Sequence, residues 1–227
     1  MTQEPSYADA RVSYEAGALV EVDLDATPLA QFEAWYAAAA GLAEPNAMVV
    51  ATVGADGLPA TRTVLLKQAD ARGFVFFTNL RSRKGGQIAA TGAAALTFPW
   101  HPMQRQVSAR GPAEPLPRDE VAAYFRSRPW GSRVGAWASR QSQPVASRAD
   151  VEARYAELAA RWPDTGSPDD VPVPDHWGGY VVRPVEVEFW QGRPSRLHDR
   201  LVFVATTDGE PPALDDASGW RVERRQP

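Results

Sequence analysis

Glu188 to Arg200 reads EFWQGRPSRLHDR, and its residue types suit an anionic, planar ligand. Two strand-like runs flank a Gly-Arg-Pro-Ser turn, the layout of a β-hairpin. Alternation beyond the turn predicts Arg196, His198 and Arg200 on one strand face, with Leu197, Asp199 and Leu201 on the other. Two guanidiniums around an imidazole make a poor core face. Arginine forks phosphate and stacks on rings, histidine moves protons near neutral pH, and Trp190 can cap a planar ligand. A solvated edge strand explains the same alternation equally well.

A second constellation is Ser82-Arg83-Lys84. Serine is a good N-cap, so the run predicts a helix start with free N–H groups, a favourable dipole and two cations converging. Alone this is a weak phosphate signal. Lysine usage strengthens it: the chain has 22 Arg and only two Lys, Lys67 and Lys84. Where either cation serves, this chain uses Arg, so both lysines mark places that need a compact ammonium. No Rossmann GxGxxG follows a strand and no P-loop GxxxxGK[ST] is present, so side chains and helix starts must hold any phosphate.

These groups need elements to position them. Thr27-Pro28 opens a helix to about Ala40, with Gly41 as its stop. Strand patterns follow at 47–53, 60–67 and 73–78, the first two joined by the Gly54–Gly57 turn. Ser82 caps a helix to about Thr91. Strands at 93–99 and 104–111 pair around Trp100-His101-Pro102. Helices are predicted at 118–127, 132–138 and 149–161, and 163–174 is a loop. Strands return at 179–190, 196–206 and 220–222. Many short strands with hairpin turns predict a mainly β (α+β) chain, an antiparallel barrel with helices outside. Residues 1–25 read as an arm, mobile or folded over a neighbour, and 26–227 as a single domain.

Composition narrows the function. The chain has 227 residues, 44% of them apolar, enough for one sizeable core. It has no cysteine, and His101, His176 and His198 are far apart, so no metal site is expected. No run of about 18 apolar residues suggests a membrane span, and the N-terminus lacks a signal-peptide layout, which fits the cytoplasm. The net charge of −4 hides an asymmetry. Residues 61–150 hold 14 Lys and Arg against 5 Asp and Glu, while the rest holds 10 against 23. A basic middle in an acidic chain implies a local anion site more than a nucleic-acid surface.

The hairpin resembles the C-terminal signature of the pyridoxine/pyridoxamine 5'-phosphate oxidases. The resemblance continues, in order, through RTVLLK (62–67), FFTNLRSRKGGQI (76–88), FPWHPMQRQV (98–107), YFRSRPWGS (124–132), GAWASRQS (135–142) and HWGGY (176–180). It covers roughly residues 28 to 227. It implies an antiparallel split β-barrel that binds FMN as a homodimer, each flavin site built from two subunits. It implies an oxidase that converts pyridoxine or pyridoxamine 5'-phosphate to pyridoxal 5'-phosphate. Molecular oxygen is the acceptor, and hydrogen peroxide, with ammonia from the amine, is released. Its implied FMN contacts are Arg62, Val64, Leu65, Lys67, Phe77, Thr78, Arg83, Lys84, Gln106, Gln141, Ser142, Trp190 and Arg200.

The substrate phosphate matches Lys67, Tyr124, Arg128 and Ser132, a set that a related phenazine-type flavin oxidase should lack. Tyr124 and Arg128 are four apart and would share a helix face, whereas Pro129 should break the helix before Ser132. Arg62 and Lys67 have opposite strand parity and should face different groups. Arg196 and His198 match the residues that hold the substrate's reacting carbon against the flavin, and His198 is also a candidate proton acceptor. Arg11 and Tyr14 fit loosely an N-terminal pair that covers the substrate. A flavin- or pyridoxal-phosphate-binding carrier without turnover stays open, though intact Arg196 and His198 argue against it.

Overall fold

Several strands alternate in burial as their sequences do, while those at 73–79 and 177–182 are buried almost throughout. In the computed structural model, which describes residues 12–227, β1 (Ala47–Val53) buries Met48, Val50 and Thr52 and turns Val49 and Ala51 the other way. It pairs antiparallel with β2 (Pro59–Leu65) and β5 (Ala93–Trp100). β6 (Arg105–Pro115) lies beside β5, then β8 (Glu186–Gln191), β9 (Asp199–Ala205) and β10 (Trp220–Arg224). β3 (Gln68–Asp70), β4 (Gly73–Asn79) and β7 (Trp177–Val182) form the remaining wall, in which β7 joins β4 to β6.

β6 belongs to both walls. Arg105 to Arg110 pair with β8, and Ala113 to Pro115 pair with β7. The crossing point is Gly111, where a Cβ would run into the carbonyl of Arg183. That close approach curls the antiparallel strands into a split barrel. The predicted strand over 179–190 is in fact two, β7 and β8. They part at Arg183-Pro184-Val185, because Pro184 has no N–H for a ladder. β3 was not anticipated; three residues are too few to show a period.

Helix α1 (Pro28–Ala38) starts where expected, with the Thr27 hydroxyl accepting from the Ala30 N–H at 3.2 Å. It seals the barrel with Phe32, whose ring centroid lies 4.9 Å from those of both Phe74 and Phe98. Burying such a ring stabilises the fold by about 1.5–3 kcal/mol. α2 (Arg83–Thr91) is capped by Ser82 and stopped by Gly92. α3 (Arg118–Ser127), α4 (Trp130–Ala138) and α5 (Arg148–Arg161) enclose a second small core around Phe125, Val134 and Val171. Buried Arg133 ties the 163–174 loop to it by donating to the carbonyls of Ser167 and Pro168. Among the described residues no helix is long and apolar enough to cross a membrane.

Candidate active site

The cation at the start of α2 is not solvated. Lys84 is 8% exposed, and its ammonium donates to Thr78 Oγ1 at 3.0 Å and Gln141 Oε1 at 2.8 Å. Ser142, in left-handed backbone, accepts the Arg83 N–H at 3.1 Å. Arg62 reaches the same place from β2, donating to Thr52 Oγ1 at 2.6 Å and Gln87 Oε1 at 3.3 Å. Thus Arg62, Thr78, Arg83, Lys84, Gln141 and Ser142 come together from β2, β4, α2 and the loop after α4. No carboxylate pairs with Arg62, Arg83 or Lys84 among the described residues. Burial, then the Arg62 charge, pushes the Lys84 ammonium down to about 8. Burial and then Arg83 likewise lower Arg62. Cations gathered here without a carboxylate want an anion.

A second group lies on the far side of β4. Phe77 stacks on Tyr124, centroids 3.9 Å apart and planes within 14°. The Lys67 ammonium sits 5.9 Å above the Tyr124 ring. Arg62 and Lys67 do face different groups, though not by strand parity, since β2 ends at Leu65 and Lys67 lies beyond it. Val64 shares Arg62's strand face and packs against the core, and Leu65 takes the opposite parity. Arg128 departs from its expectation. α3 ends at Ser127 and Arg128 is extended, because the residue before a proline avoids helical backbone. Tyr124 and Arg128 therefore share no helix face. The Arg128 guanidinium instead lies 4.1 Å over Trp177, with Nη1 buried and without a partner. Ser132 is exposed in the first turn of α4.

The hairpin corrects a further expectation. Arg196 and His198 do not lie on a strand face, since β9 begins only at Asp199. Pro194 to Arg196 form a short 3-10 turn in which Ser195 and Arg196 take positive φ, 56° and 61°. Pro194 supplies no ladder donor, so the turn runs longer than four residues. The loop still presents the imidazole: His198 lies 4.6 Å from the Trp190 ring and 5.6 Å from Tyr14. Its Nδ1 accepts the Arg193 N–H at 3.1 Å, so the neutral ring carries its proton on Nε2. Burial, then the Arg196 charge, lowers its pKa and keeps it neutral at pH 7. Tyr14, Arg196 and His198 line one cavity of about 320 Å³. Arg11 lies outside the described residues.

Gln106, Trp190 and Arg200 form one cross-strand row on β6, β8 and β9. Arg200 is already matched, by a fork onto Glu188 at 2.6 and 3.2 Å. Among the described residues, no hydrogen bond, ion pair or ring contact joins this row or the hairpin loop to the Lys84 cluster. Arg62 on β2 and Arg200 on β9 are five strand spacings apart in the sheet order, roughly 24 Å along it.

Two family models divide this chain between them. Residues 35–161 match the one described as pyridoxamine 5'-phosphate oxidase, and residues 177–227 the pyridoxine 5'-phosphate oxidase C-terminal dimerisation region. The chain belongs to the pyridoxamine 5'-phosphate oxidase family. As a member it is an oxidoreductase and a flavoprotein with FMN as its cofactor. It is 62% identical over 222 residues to a pyridoxine/pyridoxamine 5'-phosphate oxidase of Kineococcus radiotolerans, covering 97% of this chain and 98% of that protein. A Streptomyces avermitilis protein of the same description is 51% identical, with 96% and 94% covered. Among solved structures, PhzG from Burkholderia lata in complex with tetrahydrophenazine-1-carboxylic acid superposes with a TM-score of 0.79. It is 29% identical, with 92% of this chain and 98% of that chain covered. A pyridoxamine 5'-phosphate oxidase-related, FMN-binding protein from Nostoc punctiforme shares the fold at a TM-score of 0.65 and 18% identity, with 88% and 97% covered.

Sequence reading missed two supporting groups. Gln87 links Arg62 to Thr52, and its spacing of three and four from Lys84 and Arg83 on α2 was the available clue. The Arg193 backbone N–H that sets the His198 tautomer left no side-chain signal.

Proposed function

We propose that the FMN-loaded protein oxidises pyridoxine 5'-phosphate or pyridoxamine 5'-phosphate to pyridoxal 5'-phosphate. FMN would supply the hydride acceptor that side chains lack, with molecular oxygen as the final electron acceptor giving hydrogen peroxide; for the amine substrate, water hydrolyses the imine product and releases ammonia. The observation that carries this reading is the trio of cations without carboxylates around the α2 N-terminus. An FMN phosphate fits that site by charge, by donor type and by the free N–H groups of the helix start.

On this reading Arg62, Thr78, Arg83, Lys84, Gln141 and Ser142 hold the cofactor phosphate end. Val64, Leu65, Phe77, Gln106, Trp190 and Arg200 serve its ring and chain. Lys67, Tyr124, Arg128 and Ser132 take the substrate phosphate, where the unpartnered Arg128 Nη1 gains an acceptor. Arg196 and His198 orient the substrate, under cover of Tyr14 and Arg11. With Nδ1 engaged by Arg193, His198 offers the substrate an N–H and not a lone pair. It therefore works as a hydrogen-bond donor that positions an oxygen, in place of the base considered from sequence alone. The separation of the Lys84 cluster from the Trp190 row, together with the match to a dimerisation region, supports a homodimer with shared flavin sites.

Oxygen uptake by the FMN-loaded protein tests the reading. Pyridoxamine 5'-phosphate should drive uptake and peroxide formation, and unphosphorylated pyridoxamine far less. Failure of both phosphorylated substrates to bleach the flavin anaerobically would overturn it. Bleaching by a reduced phenazine carboxylic acid alone would move the chain toward the chemistry of its PhzG neighbour. Sedimentation should give about twice the 24.7 kDa chain mass.

A further inference from the structure

Tyr14 stands over His198 and Trp190, yet it belongs to a segment with no regular structure. Residues 13–19 lie in coil, and Ser13, Glu15, Ala16, Gly17 and Ala18 are exposed. Something outside the segment must hold the ring in place. The Gln104 side chain uses both ends of its amide on the backbone that brackets Tyr14. Its Oε1 accepts the Ala16 N–H at 3.0 Å, and its Nε2 donates to the Ser13 carbonyl at 3.4 Å.

Gln104 is itself fixed. It occupies left-handed backbone at φ 53° between β5 and β6. Its carbonyl accepts the Gly192 N–H at 2.7 Å and the amide of fully buried Gln191 at 3.1 Å. Gly192 completes the seat, since a Cβ there would lie 2.8 Å from the Tyr14 ring. Further along, Arg193 donates to the Gly17 carbonyl at 3.1 Å, and Asp199 accepts the Leu19 N–H at 3.1 Å. The segment is thus tied to the same hairpin that carries Arg196 and His198.

We propose that Gln104 is a positioning residue for the oxidation: it acts through Tyr14, seating that ring against His198 over the substrate cavity. The inference rests on the functional reading above. Among the described residues Gln104 makes no hydrogen bond to His198 or Trp190, so its influence passes through the strap. A displaced covering ring leaves the substrate free to move, and small misplacements are costly in rate.

The test is a double-mutant cycle in the FMN-loaded protein. Gln104→Ala should lower kcat/KM for pyridoxamine 5'-phosphate by about tenfold. In a Tyr14→Ala background the same change should have no further effect, because both variants remove one unit. Gln104→Glu keeps the acceptor for Ala16 and loses the donor to Ser13, so it should fall between parent and Gln104→Ala. FMN content and Tm should be unchanged throughout. Hydrogen exchange at the Ala16 amide should accelerate in Gln104→Ala, a readout that needs no substrate. Parental exchange at Ala16, or full multiplicative losses in the double variant, would overturn the role. If exchange accelerates while no variant, nor the parent, oxidises pyridoxamine 5'-phosphate, the clamp stands and the substrate reading falls.

Discussion

The Lys84 cluster and the His198 loop are built on opposite plans. In the first, buried Lys84 and half-buried Arg62 come from helix and strand, bonded to hydroxyls and to side-chain amides of helix and loop, with no carboxylate among the described residues. In the second, Arg196 is exposed on a turn in left-handed backbone, and His198 is held by one backbone N–H and two rings. A rigid site with uncompensated charge suits a ligand that stays. An open loop with a neutral imidazole suits one that enters, reacts and leaves. On the proposed reading the first plan is that of a cofactor seat and the second that of a substrate seat.

The largest break expected in this comparison is at Lys84. Lys84→Ala removes a desolvated ammonium that the proposed reading sets against the FMN phosphate, and charge-assisted bonds of this kind are worth about 1.5–3 kcal/mol. FMN affinity should fall by about 10- to 100-fold in a fluorescence titration. Unchanged affinity would show that the cluster is not the cofactor seat.

pH sharpens the same point. The Lys84 pKa is depressed to about 8 in the chain without ligand. A bound phosphate favours the charged form, so FMN binding takes up a proton above that pH. Affinity should therefore decline as pH rises past about 8, by at most tenfold per unit. Without FMN the sign reverses for stability. The unfolded chain binds more protons than the folded one between about 8 and the ordinary 10.5, so the cost of burying the Lys84 ammonium fades and stability rises with pH across that window. Thermal melts of the two forms should diverge accordingly.

The smallest effect should come from Arg200. Its charge is already answered by Glu188, so Arg200→Ala should cost FMN only a few-fold in affinity. A loss as large as that of Lys84→Ala would mean that Glu188 yields to the flavin.

How legible these two regions were in the sequence follows from the same difference. The cradle was readable, because Ser82 is a strong cap and the apolar run at 73–79 leads into a helix with a stop at Gly92. Local rules decide such elements. The loop was not: alternation was extended back through Arg196, and Pro194 with two positive-φ residues ended the strand at Asp199 instead. Arg128 shows the same limit, since a proline one residue on moved it off its helix. The Glu188–Arg200 fork, the Gln104 clamp and the Arg193–His198 bond join residues whose contacts depend on three-dimensional register. No sequence period reports them. The residues named from family resemblance fell into separate clusters within one chain, which the resemblance implied through its two-subunit sites and no residue spacing showed.

The central claim is a division of labour between the two regions, and one paired measurement tests it most directly. Anaerobic single-turnover bleaching by pyridoxamine 5'-phosphate should be followed at saturating FMN in Lys84→Ala, Arg196→Ala and His198→Ala, with FMN affinity measured on the same samples. Lys84→Ala should bind FMN weakly yet bleach near the parental rate once loaded. Arg196→Ala and His198→Ala should bind FMN as the parent does and bleach about 100-fold more slowly. Parental bleaching in both loop variants, or loss of FMN affinity alongside their slowing, would contradict the division.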